Sequence, residues 1–400
     1  MEFNNKWKEY ILYELADWKN GLAFKDIYFS SKGKPVIKIA ELKNGITEQT
    51  KFTEGDYGEE VYLRKNDLIF SWSGNPKTSI DAFLYDLPDG YLNQHSFKIT
   101  EKKEIINKYF LYYILKYLNP LFQSIATDKQ TTGLGHVTVA DLKKIKVRVP
   151  TLQEQNKFLD IIKNIDDKIY TNNKINDNLH KLIKNIYSDT FINNKNTHWE
   201  KERLGNYLTV ERGLSYKGKY LAESGTPMIN LGNVMPDGVF RLEKNKYYTG
   251  EYKEKVTANV GDIVVANTDM TQNREVIGTP VIIPSLYEGK VIFSHHIYGL
   301  KNLKLPKMYV FYSLLTDEWN GIAGGSATGT TVLALPKDAI EEYLIYIPDN
   351  ATLDKFETLA ENIQKKREQI LLENIKLEQL RDTLLPKLMN GEIDLDKIEI

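Results

Sequence analysis

The chain has 400 residues, of which 42% are hydrophobic, and this length is enough for two domains of ordinary size. No apolar run reaches the roughly 18 residues of a membrane helix, so we expect neither a membrane span nor a secretory leader, and we expect a cytoplasmic protein. The absence of cysteine excludes a disulfide framework and a thiolate metal site. A formal net charge of −1 means that binding of nucleic acid requires either a local basic surface or a partner protein that supplies the rest.

The first part of the chain, residues 1–150, is predicted to form an α+β domain. Runs of β-branched and aromatic residues separated by Gly, Pro and Asn are typical of short strands, and they lie at 36–39, 67–72 and 145–149. A helix is predicted from about Ile105 to Leu118, with Pro120 just past its end. Because residues 196–349 show the same pattern, we predict a second domain of the same class there.

Each domain is followed by a segment with the periodicity of a coiled-coil helix, at 151–195 and 350–400. We predict that these two long helices pair as an antiparallel coiled coil, rather than each packing only on its own domain. The predicted pairing residues of the first helix are Phe158, Ile161, Ile165, Leu179, Leu182 and Ile186. Those of the second are Phe356, Leu359, Ile363, Leu377, Leu380 and Leu384. The same seam contains polar Asn172 and Glu373, which suits a pairing interface.

The sequence contains an internal duplication. Seven residues of the first domain recur 192 positions later with the same spacing, namely Trp7, Gly21, Leu22, Lys25, Gly33, Pro35 and Ile37, which match Trp199, Gly213, Leu214, Lys217, Gly225, Pro227 and Ile229. Farther along the chain His95 matches His295, and residues 145–150 match 343–348. Because the matches stay in the same order, we predict two structurally equivalent halves.

The chain carries fragments of several cofactor-binding motifs, each of them incomplete. The stretch 213–220 is close to a phosphate-binding loop, but Tyr220 stands where Ser or Thr would hold magnesium. Asn75, Pro76 and Lys77 match only the beginning of the adenine-methyltransferase motif, and a glycine-rich S-adenosylmethionine loop is missing. We therefore expect this chain to bind no cofactor of its own, and no metal.

Two alternatives from other functional classes remain open. Asp89, Glu101 and Lys103 imitate the acidic cluster of many endonucleases, as do Asp237, Glu251 and Lys253. These two sets do not fall at equivalent positions of the duplication. The other alternative is a tandem scaffold that binds only proteins.

His295 and His296 are not expected to bind a metal, because adjacent residues point apart on a strand.

The helix entries and the end of the chain resemble the specificity subunits of type I restriction–modification enzymes (HsdS family). Residues 145–155 (IKVRVPTLQEQ) are similar to the family's junction of a strand, a proline and Leu-x-Glu-Gln, and residues 384–393 resemble its C-terminal end. The junction at 348–356 departs from the pattern because it lacks Glu-Gln. The resemblance covers essentially the whole chain.

The resemblance implies a subunit without an active site, in which each domain is a target-recognition domain for one half of a bipartite double-stranded DNA site. It also implies that the long helices act as a spacer on which two adenine methyltransferase subunits dock. Restriction or translocase subunits would be further partners. S-adenosylmethionine and ATP would then be bound only by those partner subunits.

Polar and aromatic residues in loops beside strand ends are the candidates for DNA contact, because loops on a rigid scaffold carry function. Their amide, ammonium and hydroxyl groups suit bases and phosphates. In the first domain they are Lys25, Trp72, Lys77, Asn93, Gln94, His95, Lys129, Gln130, Thr131, Thr132 and His136. In the second they are Lys217, Asn267, Thr268, Gln272, Asn273, Arg274, His295, His296, Thr328, Thr330 and Thr331. Lys25 and His95 recur as Lys217 and His295 in domains that are expected to read different sequences. These four residues could therefore belong to the common framework instead of contacting DNA.

Overall fold

A computed structural model describes residues 7–130, 133–270, 274–330 and 332–393. They form two compact units, of which unit 1 takes the described residues up to Ile169 and those from Lys376 onward, and unit 2 spans Tyr170–Ile375. Each unit combines a mixed globular part with segments of both long helices. The predicted α+β class is confirmed.

The elements of the first half follow the predicted pattern of short strands with a few helices. The strands are β1 (Lys8–Ile11), β2 (Ala16–Asn20), β3 (Lys34–Ile37), β4 (Phe52–Thr53), β5 (Tyr62–Leu63), β6 (Leu68–Ser71), β7 (Ser73–Gly74), β8 (Asp81–Leu84), β9 (Gly90–Leu92), β10 (Ser96–Glu101), β11 (Gly135–His136) and β12 (Lys146–Val149). The helices are α1 (Ile39–Asn44), α2 (Pro76–Ser79), α3 (Lys108–Tyr117), α4 (Asn119–Asp128), α5 (Val139–Leu142) and the long α6 (Leu152–Tyr187).

The second half repeats this series. Its strands are β13 (Lys201–Arg203), β14 (Thr209–Arg212), β15 (Leu221–Ala222), β16 (Thr226–Ile229), β17 (Lys246–Tyr248), β18 (Thr257–Ala258), β19 (Ile263–Ala266), β20 (Thr268–Asp269), β21 (Pro280–Ile282), β22 (Val291–Phe293), β23 (Ile297–Lys301), β24 (Leu333–Ala334) and β25 (Leu344–Tyr346). Its helices are α7 (Lys307–Ser313), α8 (Asp317–Ser326), α9 (Lys337–Glu341) and the long α10 (Asn350–Met389).

Both halves have the same sheet arrangement. A four-stranded antiparallel sheet has the order β2–β10–β6–β8 in the first half and β14–β23–β19–β21 in the second. A second sheet contains one parallel pair and has the orders β4–β3–β9–β5 and β15–β17–β16–β22–β18. The short ladders β1–β12 and β7–β11 have counterparts in β13–β25 and β20–β24. This common order is the structural form of the duplication.

The central strand β6 is buried on both faces, which explains its continuous apolar sequence. Phe70 belongs to the core that also contains Phe110 and Phe122, whereas Ile69 belongs to a second core with Ile37. The equivalent strand β19 divides its residues between two cores in the same way. The loops at the ends of these strands are therefore held on a sheet that is packed on both faces.

One duplicated glycine marks a close approach of two backbone segments. A Cβ atom on Gly21 would lie 2.2 Å from the carbonyl oxygen of Asn93, and one on Gly213 would lie 2.2 Å from that of Ser294. Any larger residue would push the strand end away from the turn that precedes β10 or β23. The recurrence of this glycine in the sequence thus has a steric cause in both halves.

The first helical region differs from the prediction. The helix begins at Lys108 rather than Ile105 because the Asn107 side chain caps it, accepting a hydrogen bond from the Tyr109 backbone N–H at 2.9 Å. Pro120 does not end the helical region but lies in the first turn of α4, where a missing N–H costs no helical hydrogen bond.

The long helices contain 36 and 40 residues, and α6 is followed by a wider turn at Ser188–Asn193. Within unit 2 they run antiparallel, because Asn172 contacts Asn374 while Asn176, farther along α6, contacts the backbone of Arg367. In unit 1 Arg381 of α10 bonds Asp166 of α6 at 3.0 Å. The predicted pairing of two long antiparallel helices is confirmed.

The inward face of the helices coincides only partly with the predicted frame. Phe158, Ile165 and Phe356 are buried, and Ile161, Leu179, Ile186, Ile363, Leu377 and Leu384 are half-buried. Leu182, Leu359 and Leu380 instead lie outside the inward face, with exposures of 47%, 43% and 47%. Their neighbours Ile183, Ala360 and Arg381 turn inward in their place. At Leu359 and Leu380 the frame differs by one residue because the inward neighbours, Ala and Arg, carry no strong apolar signal.

None of the helices in the four described ranges is long and apolar enough to cross a lipid bilayer.

Candidate nucleic-acid interface

Three of the predicted residues of unit 1, Trp72, His95 and His136, come together at one end of the four-stranded sheet. Trp72 directly follows β6, and its ring centroid lies 6.1 Å from that of His95. His136 is paired with Ser73 across the β7–β11 ladder. The indole Nε1 of Trp72 donates to Asn20 Oδ1 at 2.9 Å, which adds an exposed amide to the group. These four residues, Asn20, Trp72, His95 and His136, are hereafter the unit 1 patch.

Asn93 and Gln94 occupy the turn beside this patch but differ in their accessibility. Asn93 is buried and its backbone N–H donates to Ile37 at 2.9 Å, so its place is structural. Gln94 is half-buried, and its side-chain oxygen Oε1 has no hydrogen-bond partner. An amide oxygen in this state can accept a hydrogen bond from a base.

The predicted lysines of unit 1 divide into two kinds. Lys25 and Lys77 are exposed, and Lys77 lies in the short helix α2 that is capped by Asn75. Lys129 instead donates to both carboxylate oxygens of Asp141, at 2.6 and 2.5 Å. Burial opposes ionisation of Asp141, but hydrogen bonds from Lys129 and Thr138 prevail and lower its pKa. Lys129 therefore holds its loop in place, while Gln130 is exposed and Thr131 and Thr132 lie outside the described residues.

Unit 2 carries a corresponding patch with other residue types. The position of Trp72 is taken by Asn267, which is 2% exposed and donates from Nδ2 to the His295 carbonyl at 3.0 Å. Arg212, at the position equivalent to Asn20, donates from Nε to the same carbonyl at 3.5 Å. Thr268 Oγ1 lies 2.9 Å from His296 Nδ1. Arg212, Asn267, Thr268, His295 and His296 are hereafter the unit 2 patch.

The two adjacent histidines do not point apart as expected. They lie in the turn between β22 and β23 rather than within a strand, and their ring centroids are 3.8 Å apart. Burial, followed by the positive charge of Arg212, lowers the pKa of His295, and burial, followed by His295, lowers that of His296. Both rings are therefore neutral near pH 7. A neutral imidazole offers one hydrogen-bond donor and one hydrogen-bond acceptor.

The remaining predicted residues of unit 2 lie on loops around this patch. Lys217 is exposed, and the exposed Arg274 is anchored by a hydrogen bond from Nη1 to the Gly324 carbonyl at 2.6 Å. Thr328 bridges to Ala334 and Thr330 is exposed. Gln272, Asn273 and Thr331 lie outside the described residues.

Sequence reasoning missed Asn20 and Arg212, although they occupy equivalent positions 192 residues apart. Neither residue lies in a recognisable motif. They reach the patches only because β2 and β14 pair with β10 and β23, which is long-range information. The sequence signal that could have found them is that they occupy equivalent positions of the duplication but differ in chemistry.

In each of the two acidic clusters of the endonuclease alternative, the aspartate is engaged by another residue. Asp89 accepts a hydrogen bond from the Tyr62 hydroxyl at 2.9 Å, and Asp237 forms an ion pair with Lys184 at 2.9 Å. Among the described residues, no group of three or more His, Asp or Glu side chains is placed to hold a metal ion. The geometry therefore does not favour this alternative.

A family model matches the first part of the chain. The family model described as the type I restriction modification DNA specificity domain matches residues 4–181. This range includes the unit 1 patch and most of α6.

Two curated relatives match along most of the chain. The type I restriction enzyme MjaVIII specificity subunit of Methanocaldococcus jannaschii is 23% identical over 385 residues, which cover 90% of this chain and 86% of that protein. The type I restriction enzyme HindI specificity subunit of Haemophilus influenzae is 21% identical over 405 residues, covering 83% and 87%. Both alignments include the two halves of the chain.

A solved structure has the same fold. The crystal structure of the type I restriction–modification system S subunit from M. genitalium superposes with a TM-score of 0.55 and 16% identity, covering 97% of this chain and 98% of that one.

Proposed function

The chain belongs to the family of type I restriction–modification specificity subunits, and we propose that each of its two units reads one half of a bipartite double-stranded DNA target. As a specificity subunit it is a recognition protein and not an enzyme. We also propose a cytoplasmic location, because the proposed target is DNA.

The observation that carries the proposal is the pair of patches. They occupy equivalent places at the end of equivalent sheets, but Asn20 and Trp72 in unit 1 are replaced by Arg212 and Asn267 in unit 2. A common scaffold with different polar groups at the same positions is what two readers of different base sequences require, since each base pair presents its own pattern of donors and acceptors. Two unlike readers in one chain suit an asymmetric, two-part target.

We further propose that the long helices serve as the spacer and that two adenine methyltransferase subunits dock on this chain. S-adenosylmethionine and ATP would then be bound by the partner subunits, with restriction or translocase subunits as additional partners. The incomplete phosphate-binding loop at 213–220 supports this division of labour. The isolated chain should accordingly bind neither molecule with micromolar affinity in a calorimeter.

A domain exchange tests the proposal. Residues 199–347 are replaced by the matching segment of a relative, and methylated sites are mapped by long-read sequencing of cells that also contain the methyltransferase subunit. One half of the methylated sequence should change while the other stays the same, because separate folded units read the two halves. A simultaneous change in both halves would contradict the proposal, as would cleavage of plasmid DNA by the pure chain with magnesium alone.

A further inference from the structure

Unit 1 contains a cavity of about 270 Å³ beside the end of α10. Its walls are formed by residues 146–148 of β12, by Tyr117 at the end of α3 and by residues 389–391. Trp7 also lines it, and the indole Nε1 of this residue is buried without a hydrogen-bond partner. A buried donor without a partner calls for an acceptor from elsewhere.

Unit 2 contains a cavity of about 210 Å³ beside the turn that follows α6. Its walls include β25 (Leu344–Tyr346), Thr316 just after α7, and residues 191–192. Leu344 and Ile192 are 47% and 45% exposed, so the cavity opens to the surface through apolar groups.

The two cavities lie at equivalent positions of the duplication. The strand residues 146–148 and 344–346 differ by 198 positions, and so do residues 389–390 and 191–192. The cavity of each unit is thus enclosed by the strand that leads into one long helix and by the end of the other long helix. Chance packing defects have no reason to recur at matching places in sequences that have diverged this far.

The size of the cavities favours a protein side chain over a free small molecule. Both are smaller than the roughly 300–1,000 Å³ of typical small-molecule sites. Aromatic side chains line each of them, Trp7 and Tyr117 in unit 1 and Tyr309 and Tyr346 in unit 2. Such walls accept one apolar or aromatic side chain of a partner, which is the usual anchor of a protein interface.

Basic residues outnumber acidic ones in the lining of both cavities. Lys146 and Arg148 line the cavity in unit 1, and Lys195 and Lys201 line that in unit 2 together with Glu318. Lys146 is paired with Glu9 at 2.8 Å, and Lys201 with Glu318 at 3.1 Å. Because exposed ion pairs contribute little free energy, acidic groups of a partner can compete for these lysines.

We propose that the two cavities are twin docking sites, each of which takes an apolar side chain flanked by acidic residues from one copy of the methyltransferase subunit. This inference rests on the proposed function and gives its docking sites a location. Two equivalent cavities in one chain explain how a single polypeptide can hold two copies of the same partner.

The test uses matched substitutions at equivalent, exposed positions of the full-length chain. Lys146→Glu in unit 1 and Leu344→Glu in unit 2 place a negative charge at the rim of one cavity. Asn390→Trp and Ile192→Trp narrow the same cavities with a bulky ring. Native mass spectrometry with the methyltransferase subunit should count two bound copies for the original chain, one for each single-site variant and none when both cavities are altered. The affinity of the altered site should fall roughly tenfold or more.

Leu121→Glu and Ile322→Glu are the controls, because these residues are 43% and 37% exposed on the corresponding helices α4 and α8 but do not line the cavities. Both controls should still bind two copies. Retention of two copies with unchanged affinity by all four cavity variants would overturn the inference and leave DNA reading untouched. If the original chain binds no methyltransferase subunit, the docking part of the proposed function fails as well.

Discussion

Asn172 and Asn374 face each other in the buried centre of the helix pair of unit 2, where Asn172 Nδ2 donates to Asn374 Oδ1 at 2.8 Å. The two side chains are 1% and 5% exposed. Asn374 Nδ2 in turn donates to Asn173 Oδ1 at 2.8 Å. A buried amide pair in a coiled coil specifies register at a cost in stability, so this pair determines which residues of α6 and α10 meet.

We expect Asn172→Leu to lower the free energy of unfolding by roughly 1–3 kcal/mol, because Asn374 Oδ1 keeps its burial but loses this donor. The double variant Asn172→Leu with Asn374→Leu should recover most of that loss, since neither buried amide remains. Urea denaturation of the original chain, both single variants and the double variant gives the coupling energy. Equal and additive losses would show that the two amides act independently.

Lys77 and Lys129 should behave differently when each is replaced by Ala. Lys77→Ala should weaken binding to all DNA sequences alike and reduce the salt slope of the affinity by about one, as expected for loss of a phosphate contact. Lys129→Ala should instead destabilise unit 1, because Asp141 is 9% exposed and loses its cation. Titrations at several salt concentrations, together with thermal melting, separate the two effects. A melting change for Lys77→Ala equal to that of Lys129→Ala would contradict the assignment.

His180 should make unit 2 sensitive to acid. Burial first, and then the nearby positive charges of Arg367 and Lys184, lower the pKa of His180 to about 4, while Asp237 acts in the opposite direction. The unfolded chain binds a proton at this residue below about pH 6.5, whereas the folded chain does not until about pH 4. Stability is therefore lost as the pH falls through this range, by about 2 kcal/mol between pH 7 and pH 5.

The contribution of His180 is isolated by measuring the free energy of unfolding at both pH values for the original chain and for His180→Gln. The variant should lose less stability on acidification. His198→Gln is the matched control variant, because it makes the same substitution at an exposed histidine. Identical pH dependence in His180→Gln and the original chain would disprove the assignment.

Lengthening the helix pair tests whether it acts as a ruler. Four residues inserted near 171–174 of α6, matched by four near 372–375 of α10, add roughly 6 Å of helix. At about 3.4 Å per base pair, the gap between the methylated half-sites should grow by between one and two base pairs while both half-sites stay the same. Insertion of two residues should reduce activity, because it rotates the apolar seam away from its partner. Methylation mapping reads both results, and an unchanged gap with altered half-sites would exclude the ruler.

The duplication, the fold class and the two long helices could be predicted because each depends on patterns that are local or repeated in the sequence. Phe158 and Phe356 were found by helical periodicity, since large apolar side chains dominate that signal. The inward positions of Asn374 and Arg367 were not found, because a polar side chain on the inner face is indistinguishable in sequence from a solvated one. Their partners lie about 200 positions away, and only the folded helix pair brings them together.

The candidate site was predictable to a smaller extent. Trp72, His95 and His136 were selected among the polar and aromatic residues of loops beside strand ends, and strand pairing brings them together. The same rule also selected Asn93 and Lys129, which have structural roles, since a sequence does not reveal whether an amide is buried or an ammonium has a carboxylate beside it.

The assignment of residues to the two units has a consequence for the order of folding during synthesis. Leu388, near the end of α10, is 1% exposed in the core of unit 1, whose other members come from the first half of the chain. Unit 2 is continuous in sequence from Tyr170 to Ile375. At a translation rate of roughly 5–20 residues per second, unit 1 waits for tens of seconds or less with part of its core uncovered. The unit that is begun first is therefore the one completed last, and the nascent chain depends on protection of that apolar surface until α10 has left the ribosome.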